Sequence, residues 1–358
     1  MGEALLPYIN NPSNTITITS RKKHISSSSN VHYVCVNAKS QKEIVNLLDR
    51  YYDVIIDFLV YSTEEFKYRY ELMLKHTAQY VFISSARVYA QTEGRITENT
   101  PRLLDVSKDK EYLSTDEYAL CKARSEDILN TSGKHNYTII RPSITFGPER
   151  LQLGTLEKEN WLYRALHGRC IVFSEDIAPK YTTMTLGDDV AKGIACIIGK
   201  ENALGETFHI TSESSYRWSD ILSYYLSVLE EMGYLPKVVM TKKTLTMKRK
   251  ENRYQAIYCR YFNRRFDNTK IKEFVNVDDF TDTLEGVREC LYEFLKNPVF
   301  NKINWELEAW NDRAAHEYTP LREILSWKQK LIYLLRRYYL GIIIDILRWI
   351  LKEYKKIR

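Results

Sequence analysis

The sequence predicts an α/β protein, a doubly wound parallel sheet followed by a smaller C-terminal lobe and a C-terminal amphipathic helix. Three observations carry that reading. Strand-like and helix-like segments alternate along the first half of the chain. The run DVIIDFLVYS from Asp53 is mostly apolar, as a strand is when helices cover both faces of a parallel sheet. The run YVFI, from Tyr80, ends in Ser84 and Ser85, which sets hydroxyls at a strand's carboxyl end, where open α/β sheets bind ligands.

Taken in order, EALLPYI after Gly2 reads as a short helix ended by Asn10, Asn11 and Pro12. TITITS, residues 15–20, alternates as a strand does and runs into Ser20-Arg21-Lys22-Lys23. VHYVCVNA is the next strand, with Asn37 near its end, and QKEIVNLLDRYY is an amphipathic helix. After the Asp53 strand, TEEFKYRYELMLKHT reads as one helix leading to the serine strand. A polar loop, ITENTP, carries Glu98 and Pro101, and a helix opens at Tyr118. The strand from Tyr137 ends in Arg141-Pro142, with Gly147-Pro148 beyond. The alternation then loosens through LYRALHGRCIVF and KYTTMTLGDDVAKGIACII, where Asp188 or Asp189 reads as an N-cap. GETFHITS is a returning strand, a helix starts at Trp218, and YFNRRFDNTKIKE gathers Arg264, Arg265, Asp267 and Lys270.

Composition narrows the function classes. Hydrophobic residues at 44% and charged residues at 27% are those of a globular protein. The six cysteines are scattered without a Cys-x-x-Cys spacing, which argues against zinc and fits reduced thiols in the cytoplasm. The seven histidines are dispersed, so no metal is expected. The first residues do not form a signal peptide, and the apolar run YYLGIII from Tyr338 is far short of a membrane span. The net charge of +6 is a property of the tail, because residues 327–358 hold nine Lys/Arg against Asp345 and Glu353. The rest is close to neutral, which removes the case for a nucleic-acid surface.

The chemistry concentrates in TDEYALCKARSED, residues 115–127. Lys122 lies one helical turn after Tyr118 on the same face, and an ammonium there favours the ionised phenol. With 27 tyrosines some such spacings arise by chance, and Tyr292 with Lys296 is one. Only the first pair follows a serine strand and precedes an Arg-Pro strand end. Strand-Ser-Ser-x-x-Val-Tyr, Tyr-x-x-x-Lys-x-x-x-Glu ending at Glu126, and Arg-Pro with Gly-Pro resemble, in order and distance, the extended short-chain dehydrogenase/reductase family. That family comprises the NAD(P)-dependent sugar-nucleotide epimerases, reductases and dehydratases, and the resemblance covers roughly residues 1–290.

The resemblance implies a Rossmann-like NAD(P)-binding domain over residues 1–150, a substrate-binding lobe over 151–300 that partly returns to the sheet, and a helical tail over 301–358. It implies that Tyr118 carries the proton, that Lys122 keeps the phenol acidic and holds the nicotinamide ribose, and that Ser85, better aligned than Ser84, polarises the substrate oxygen. Gly2, Arg21, Asn37, Phe58, Leu59, Lys122 and Pro142 fall where relatives bind the cofactor, and Ser84, Arg264 and Arg265 where they meet substrate. Arg21 fits a 2′-phosphate and so NADP slightly over NAD, and reads equally well as part of a solvated basic turn. The family's 4,6-dehydratases place two carboxylates beside the catalytic hydroxyl; Ser85-Ala86-Arg87 has neither, which leaves an epimerase or reductase of a nucleotide sugar. The alternatives are a non-catalytic relative serving as a binding or scaffold module, and a reductase of an apolar, lipid or steroid-like alcohol.

The front departs from the family. None of the 13 glycines forms a G-x-x-G-x-x-G turn, and only Gly2 lies before position 94. Without a first strand, the strand of residues 15–20 and the strand from Asp53 each lose a neighbour. The expectation is therefore that Met1 is an internal methionine of a longer reading frame, preceded by roughly a dozen residues with an apolar strand and two more glycines.

In the tail, Arg337, Gly341, Asp345, Arg348, Lys352 and Lys355 fall on one narrow polar stripe of a single helix. Leu335, Tyr339, Ile342, Ile343, Ile346, Trp349, Ile350 and Tyr354 fill the broad opposite face. Such a helix docks by its apolar face on the body or on a second subunit of a homodimer, or lies peripherally on the inner face of a membrane. The docking alternative is slightly ahead.

Overall fold

The description of the computed structural model covers residues 2–357, and the side chains of all of these except 250, 251 and 352–357. Met1 and the side chains of Lys352, Tyr354 and Lys355, on which expectations rested, lie outside the described residues.

Helix α1 (Gly2–Ile9) precedes strands β1 (Ile16–Ser20) and β2 (Val31–Cys35). Helix α2 (Gln41–Leu47) leads into β3 (Tyr52–Asp57), and α3 (Thr63–Lys67) with α4 (Tyr70–Lys75) into β4 (Thr77–Ile83). The short α5 (Leu103–Val106) and α6 (Lys110–Leu113) precede α7 (Tyr118–Asn130), β5 (Tyr137–Ile140) and β6 (Thr145–Phe146). Then come α8 (Lys158–Leu166), β7 (Ile171–Ser174), β8 (Tyr181–Thr182), β9 (Thr185–Leu186), α9 (Gly187–Ile197), β10 (Glu206–Phe208) and β11 (Tyr216–Arg217). Helix α10 (Trp218–Glu231), β12 (Val238–Thr241), α11 (Lys250–Gln255), α12 (Thr283–Lys296), α13 (Trp305–Ala315), α14 (Trp327–Arg337) and α15 (Gly341–Ile357) complete the chain.

These elements form two compact units. The first takes Met1–Phe146, Thr183–Ser215 and Arg264–Thr283, the second Gly147–Thr182, Tyr216–Asn263 and Leu284–Arg358.

The first unit is built on a parallel sheet in the order β10-β5-β4-β3. Period-two alternation in β4 sends its side chains to two different cores. Val81 and Ile83 join Ile140 and Phe208 under Val190 and Ile194 of α9 and Leu5 of α1. Tyr80 and Phe82 join Ile139 under Phe66, Met73, Leu74 and Leu129 on the other face. Helices on both faces are what the apolar strand runs required. Helix α9 approaches closely because residue 193 is glycine: a Cβ there would stand 2.7 Å from Cγ2 of Ile210.

Strands β1 and β2 pair in parallel as a separate ribbon. Among the described residues β1 bonds only to β2, and β3 only to β4. Val54, Ile55 and Ile56 of β3 are accordingly only half-buried, whereas Tyr80, Val81, Phe82 and Ile83 of β4 are buried.

Local expectations fail in three places in this unit. The helix expected from Thr63 to Thr77 is two: Ser62 and Glu65 form a capping box at the start of α3, but Arg69 breaks the run by turning inward to the carbonyl of Ala38 and the ring of Tyr61, 4.9 Å away. The helix expected to reach Tyr52 stops at α2, and Tyr52 already belongs to β3. Neither Asp188 nor Asp189 caps α9, whose N-cap is Leu186; Asp188 accepts from the Tyr8 hydroxyl and Asp189 from the Thr281 amide.

In the second unit β7 pairs in parallel with β12 and β8 antiparallel with β11. The Trp161 and Tyr225 rings meet at 4.3 Å between α8 and α10. The tail is two helices rather than one, because Tyr339 takes a left-handed φ of 68° between α14 and α15, which ends one helix before the next begins.

Candidate active site

Strand β4 ends at Ile83, and the two serines after it face different surroundings. Ser84 is buried and gives its hydroxyl to Glu126 of α7. Glu126 also receives both arms of Arg141, at 2.8 and 2.7 Å, and Arg102 at 3.3 Å. That fully enclosed carboxylate ties α7 to the end of β5. Ser84 is thus spent inside the protein, against the expectation that it meets substrate. Ser85 instead caps a single turn, Ala86–Val88, its oxygen accepting from the Arg87 amide at 3.2 Å. Its own proton remains to be donated.

Helix α7 starts at Tyr118 because Glu117 caps it, one carboxylate oxygen accepting from the Ala119 amide at 2.8 Å. Arg87 ion-pairs with Glu117 and brings its guanidinium to 5.2 Å from the Tyr118 ring centre. One turn on, the Lys122 Nζ lies 6.0 Å from that centre and 4.6 Å from the Phe82 ring. It donates to the carbonyl of Ile83 at 2.7 Å and weakly to that of Leu59 at 3.5 Å. Lys122 is 2% exposed. Burial pushes its ammonium down to about 8, against the opposing pull of Asp57, Cys121 and Glu126. Asp57, the buried last residue of β3, accepts from Tyr61 and Tyr80. Two positive groups therefore flank one phenol at the carboxyl ends of parallel strands.

Most of the other expected cofactor residues follow strands of the same unit. Phe58 and Leu59 follow β3 half-buried, a Cβ on Gly2 would stand 3.7 Å from the Phe58 ring, and Pro142 accepts from the Ala86 amide at 3.0 Å. Arg21 and Asn37 are exposed after β1 and β2, Asn37 with its amide on Glu43 at 2.8 Å. Arg264 departs from expectation: it is buried and turns to the carbonyl of Tyr89 at 3.0 Å, so it braces the loop after the Ser85 turn rather than offering itself to a diphosphate. Arg265 is exposed, and Lys270 pairs with Glu206. Glu98 accepts from the His209 amide at 3.1 Å, a structural role. Tyr292 bonds to Glu231 at 2.9 Å while Lys296 pairs with Glu293; that chance spacing builds no proton device.

Sequence reasoning missed the Arg87–Glu117 pair and the buried Asp57. The signal for Glu117 was its place directly before the helix-opening tyrosine. Among the described residues no group of His, Cys, Asp and Glu could hold a metal ion, and none of the six cysteines is in a disulfide.

Comparison with known proteins agrees with this fold. The NAD-binding family described as Male sterility protein matches residues 33–180. Curated proteins gave no match. Among solved structures, the epimerase Mth375 of Methanothermobacter thermautotrophicus is similar at a TM-score of 0.60 and 15% identity, over 79% of this chain and 85% of that one. UDP-glucuronic acid 4-epimerase of Bacillus cereus, solved with UDP-glucuronic acid and NAD, is similar at 0.60 and 13% identity, over 83% and 96%. The dTDP-glucose 4,6-dehydratase DesIV of Streptomyces venezuelae is similar at 0.61 and 15% identity, over 82% and 91%.

Proposed function

For a chain that has the NAD-binding fold of the extended short-chain dehydrogenase/reductases, we propose an NAD(P)-dependent epimerase or reductase acting on a hydroxyl or keto group of a nucleotide sugar. The observation that carries the reading is Tyr118 at the start of α7 with a buried Lys122 one turn on, its ammonium bound to the end of β4.

The residues present fit the nicotinamide-ribose end of such a cofactor. Two backbone carbonyls take two of the three N–H groups of Lys122, which leaves a donor for a ribose hydroxyl. Lys122, Phe58, Leu59 and Pro142 would hold that end, Gly2 lies beside Phe58, and Asn37 and Arg21 would meet the adenosine, Arg21 favouring NADP(H). When bound, the dinucleotide supplies the two-electron acceptor or donor.

The protein's own part is the proton and the charge. The Tyr118 oxygen takes the proton of the substrate hydroxyl in oxidation and returns it in reduction. Arg87 and Lys122 stabilise the negative charge that forms there, and Glu117 holds Arg87 in place. Ser85 donates to the substrate oxygen. Eliminating water would require a further acid and base, and Ala86 and Arg87 supply neither. A nucleotide sugar is favoured by the structurally similar epimerase solved with UDP-glucuronic acid and NAD. A second reading, a non-catalytic binding module, draws on β1 and β3 having one strand neighbour each among the described residues.

Calorimetric titration with NADH and NADPH, followed by turnover assays on a panel of UDP- and dTDP-sugars, separates the two. Cofactor binding with conversion of at least one sugar supports the enzyme. Failure to bind either dinucleotide sinks it and leaves the module.

A further inference from the structure

We propose that the α14–α15 hairpin is an in-plane membrane anchor whose apolar side enters the interface of an anionic bilayer. The argument starts from which side of α15 faces the protein. Ile344 is buried, Gly341 sits against Arg336, and Arg348 reaches Glu306 at 3.1 Å. Arg336 clamps the joint, donating to Glu306 and, at 2.6 and 2.9 Å, to Asp345. The contact side is therefore the narrow polar stripe. The broad apolar side points away: Ile342 is 68% exposed and Trp349 64%, with Ile343, Ile346, Leu347 and Ile350 exposed between them. A helix that docks to bury apolar surface does the reverse, so the expected alternative of docking by that face on the protein's own body is corrected.

Helix α14 docks in the ordinary way, Tyr333 and Leu334 entering an apolar cluster with Trp305, Ala309 and Ile324, yet it too leaves apolar side chains outside. Tyr333 is buried and bonds to Asp312 at 2.7 Å, while Trp327 and Leu331 face outward. The turn between the helices adds exposed Tyr338, Tyr339 and Leu340. Tryptophan and tyrosine at the margin of an aliphatic surface suit the headgroup layer, where one end of the ring is wet and the other apolar. No described helix is long and apolar enough to cross a membrane, so the hairpin lies in the interface plane.

Charge selects the occupant. Residues 327–358 hold nine Lys/Arg against two acidic residues. A second copy docking tail to tail would bring two such positive segments together, a repulsive pairing. A surface of anionic lipid attracts the same charges.

The test is co-sedimentation of the full chain with vesicles of phosphatidylcholine, alone or mixed with phosphatidylserine. Binding should favour the anionic vesicles and fall with added salt. The double variant Ile346→Glu, Trp349→Glu changes two exposed positions, and should bind at least about tenfold less with unchanged circular dichroism. Lys328→Glu, at an exposed basic position, should weaken anionic binding alone. Equal pelleting of parent and double variant, or no preference for anionic vesicles, overturns the proposal. So does a lipid-free dimer in sedimentation velocity that the double variant dissolves while the parent binds no vesicles; a second copy is then the occupant.

Discussion

Lys122 donates to the carbonyl of Ile83 at 2.7 Å, so a buried ammonium on α7 is bound to the last residue of the strand that carries the serines. The bond sets the height of the helix against the strand end, and with it the position of Tyr118. It also places a charge where burial opposes it.

The pH profile should show that opposition. Burial lowers Lys122 from the ordinary 10.5 to about 8, so turnover that needs its charge should fall as pH rises through about 8, and Lys122→Met should abolish the limb together with most activity. The sign for stability is opposite to that of a lysine gaining a partner. Below about 8 the folded state carries the full cost of the buried charge, and this is relieved as pH rises from about 8 towards 10.5. A kcat/KM profile flat from pH 7 to 9.5 would remove Lys122 from the chemistry.

Replacing Tyr118 by Phe should reduce turnover by at least about a thousandfold, roughly 4 kcal/mol of barrier, while thermal stability stays within about a degree. Tyr292→Phe, which loses only bonds to Glu231 and Arg288, should leave turnover unchanged. Equal losses in both variants would contradict the assignment.

Arg87 is the cation that the structure adds beside the proposed proton carrier, 5.2 Å from the Tyr118 ring centre. Arg87→Met should lower kcat about tenfold, and Arg87→Lys should recover much of that, because charge near the phenol matters more than the fork. The side chains of the Arg87–Glu117 pair are 19% and 12% exposed, and its loss should cost about 1 kcal/mol of stability. A KM rise with unchanged kcat would instead mark Arg87 as a substrate contact.

How much of this was legible follows from range along the chain. Tyr118 and Lys122 are a local pair, four residues apart on a helix whose start Glu117 announces, so spacing alone put them together. The resemblance already preferred Ser85 to Ser84 for the catalytic hydroxyl, but that Ser84 is spent inside follows only from the docking of α7 on β4, which brings Glu126 to it. Arg87 and Glu117 are 30 residues apart, and no periodicity pairs them. Arg264 was expected with Arg265 to meet substrate, yet a loop carbonyl 175 residues upstream draws it inside. Within α15 the helical wheel set the face of Gly341, Asp345 and Arg348 apart from that of Ile342, Ile343, Ile346, Trp349 and Ile350, although it ran one helix through Tyr339, where the structure has two. The wheel could not say which face meets the protein, because that is decided by Glu306, a mostly buried carboxylate that attracts Arg336 and Arg348.

A buried charge cluster holds the second unit's C-terminal helices together. Arg164 of α8, fully buried, pairs with Glu308 at 2.6 Å and Asp312 at 2.7 Å on α13, and with Glu317 at 2.8 Å. Asp312 in turn accepts from Tyr333 of α14 at 2.7 Å. Arg164→Met should destabilise the protein by about 3–5 kcal/mol, because it leaves two buried carboxylates without their cation. Even beside Arg164, burial outweighs attraction at Glu308 and raises it from 4.5 to about 6. For an acid raised in this way, the folded state holds its proton longer than the unfolded one, so this group's contribution to stability is lost as pH rises from about 4.5 through about 6. The variant, having lost the cation, should therefore regain stability on going from pH 7 to pH 5.5, whereas Arg164→Met with Glu308→Gln should start higher and respond less. Urea denaturation at the two pH values checks this. A single variant as stable as the parent at pH 7 would show that the cluster does not hold α13 and α14 in place.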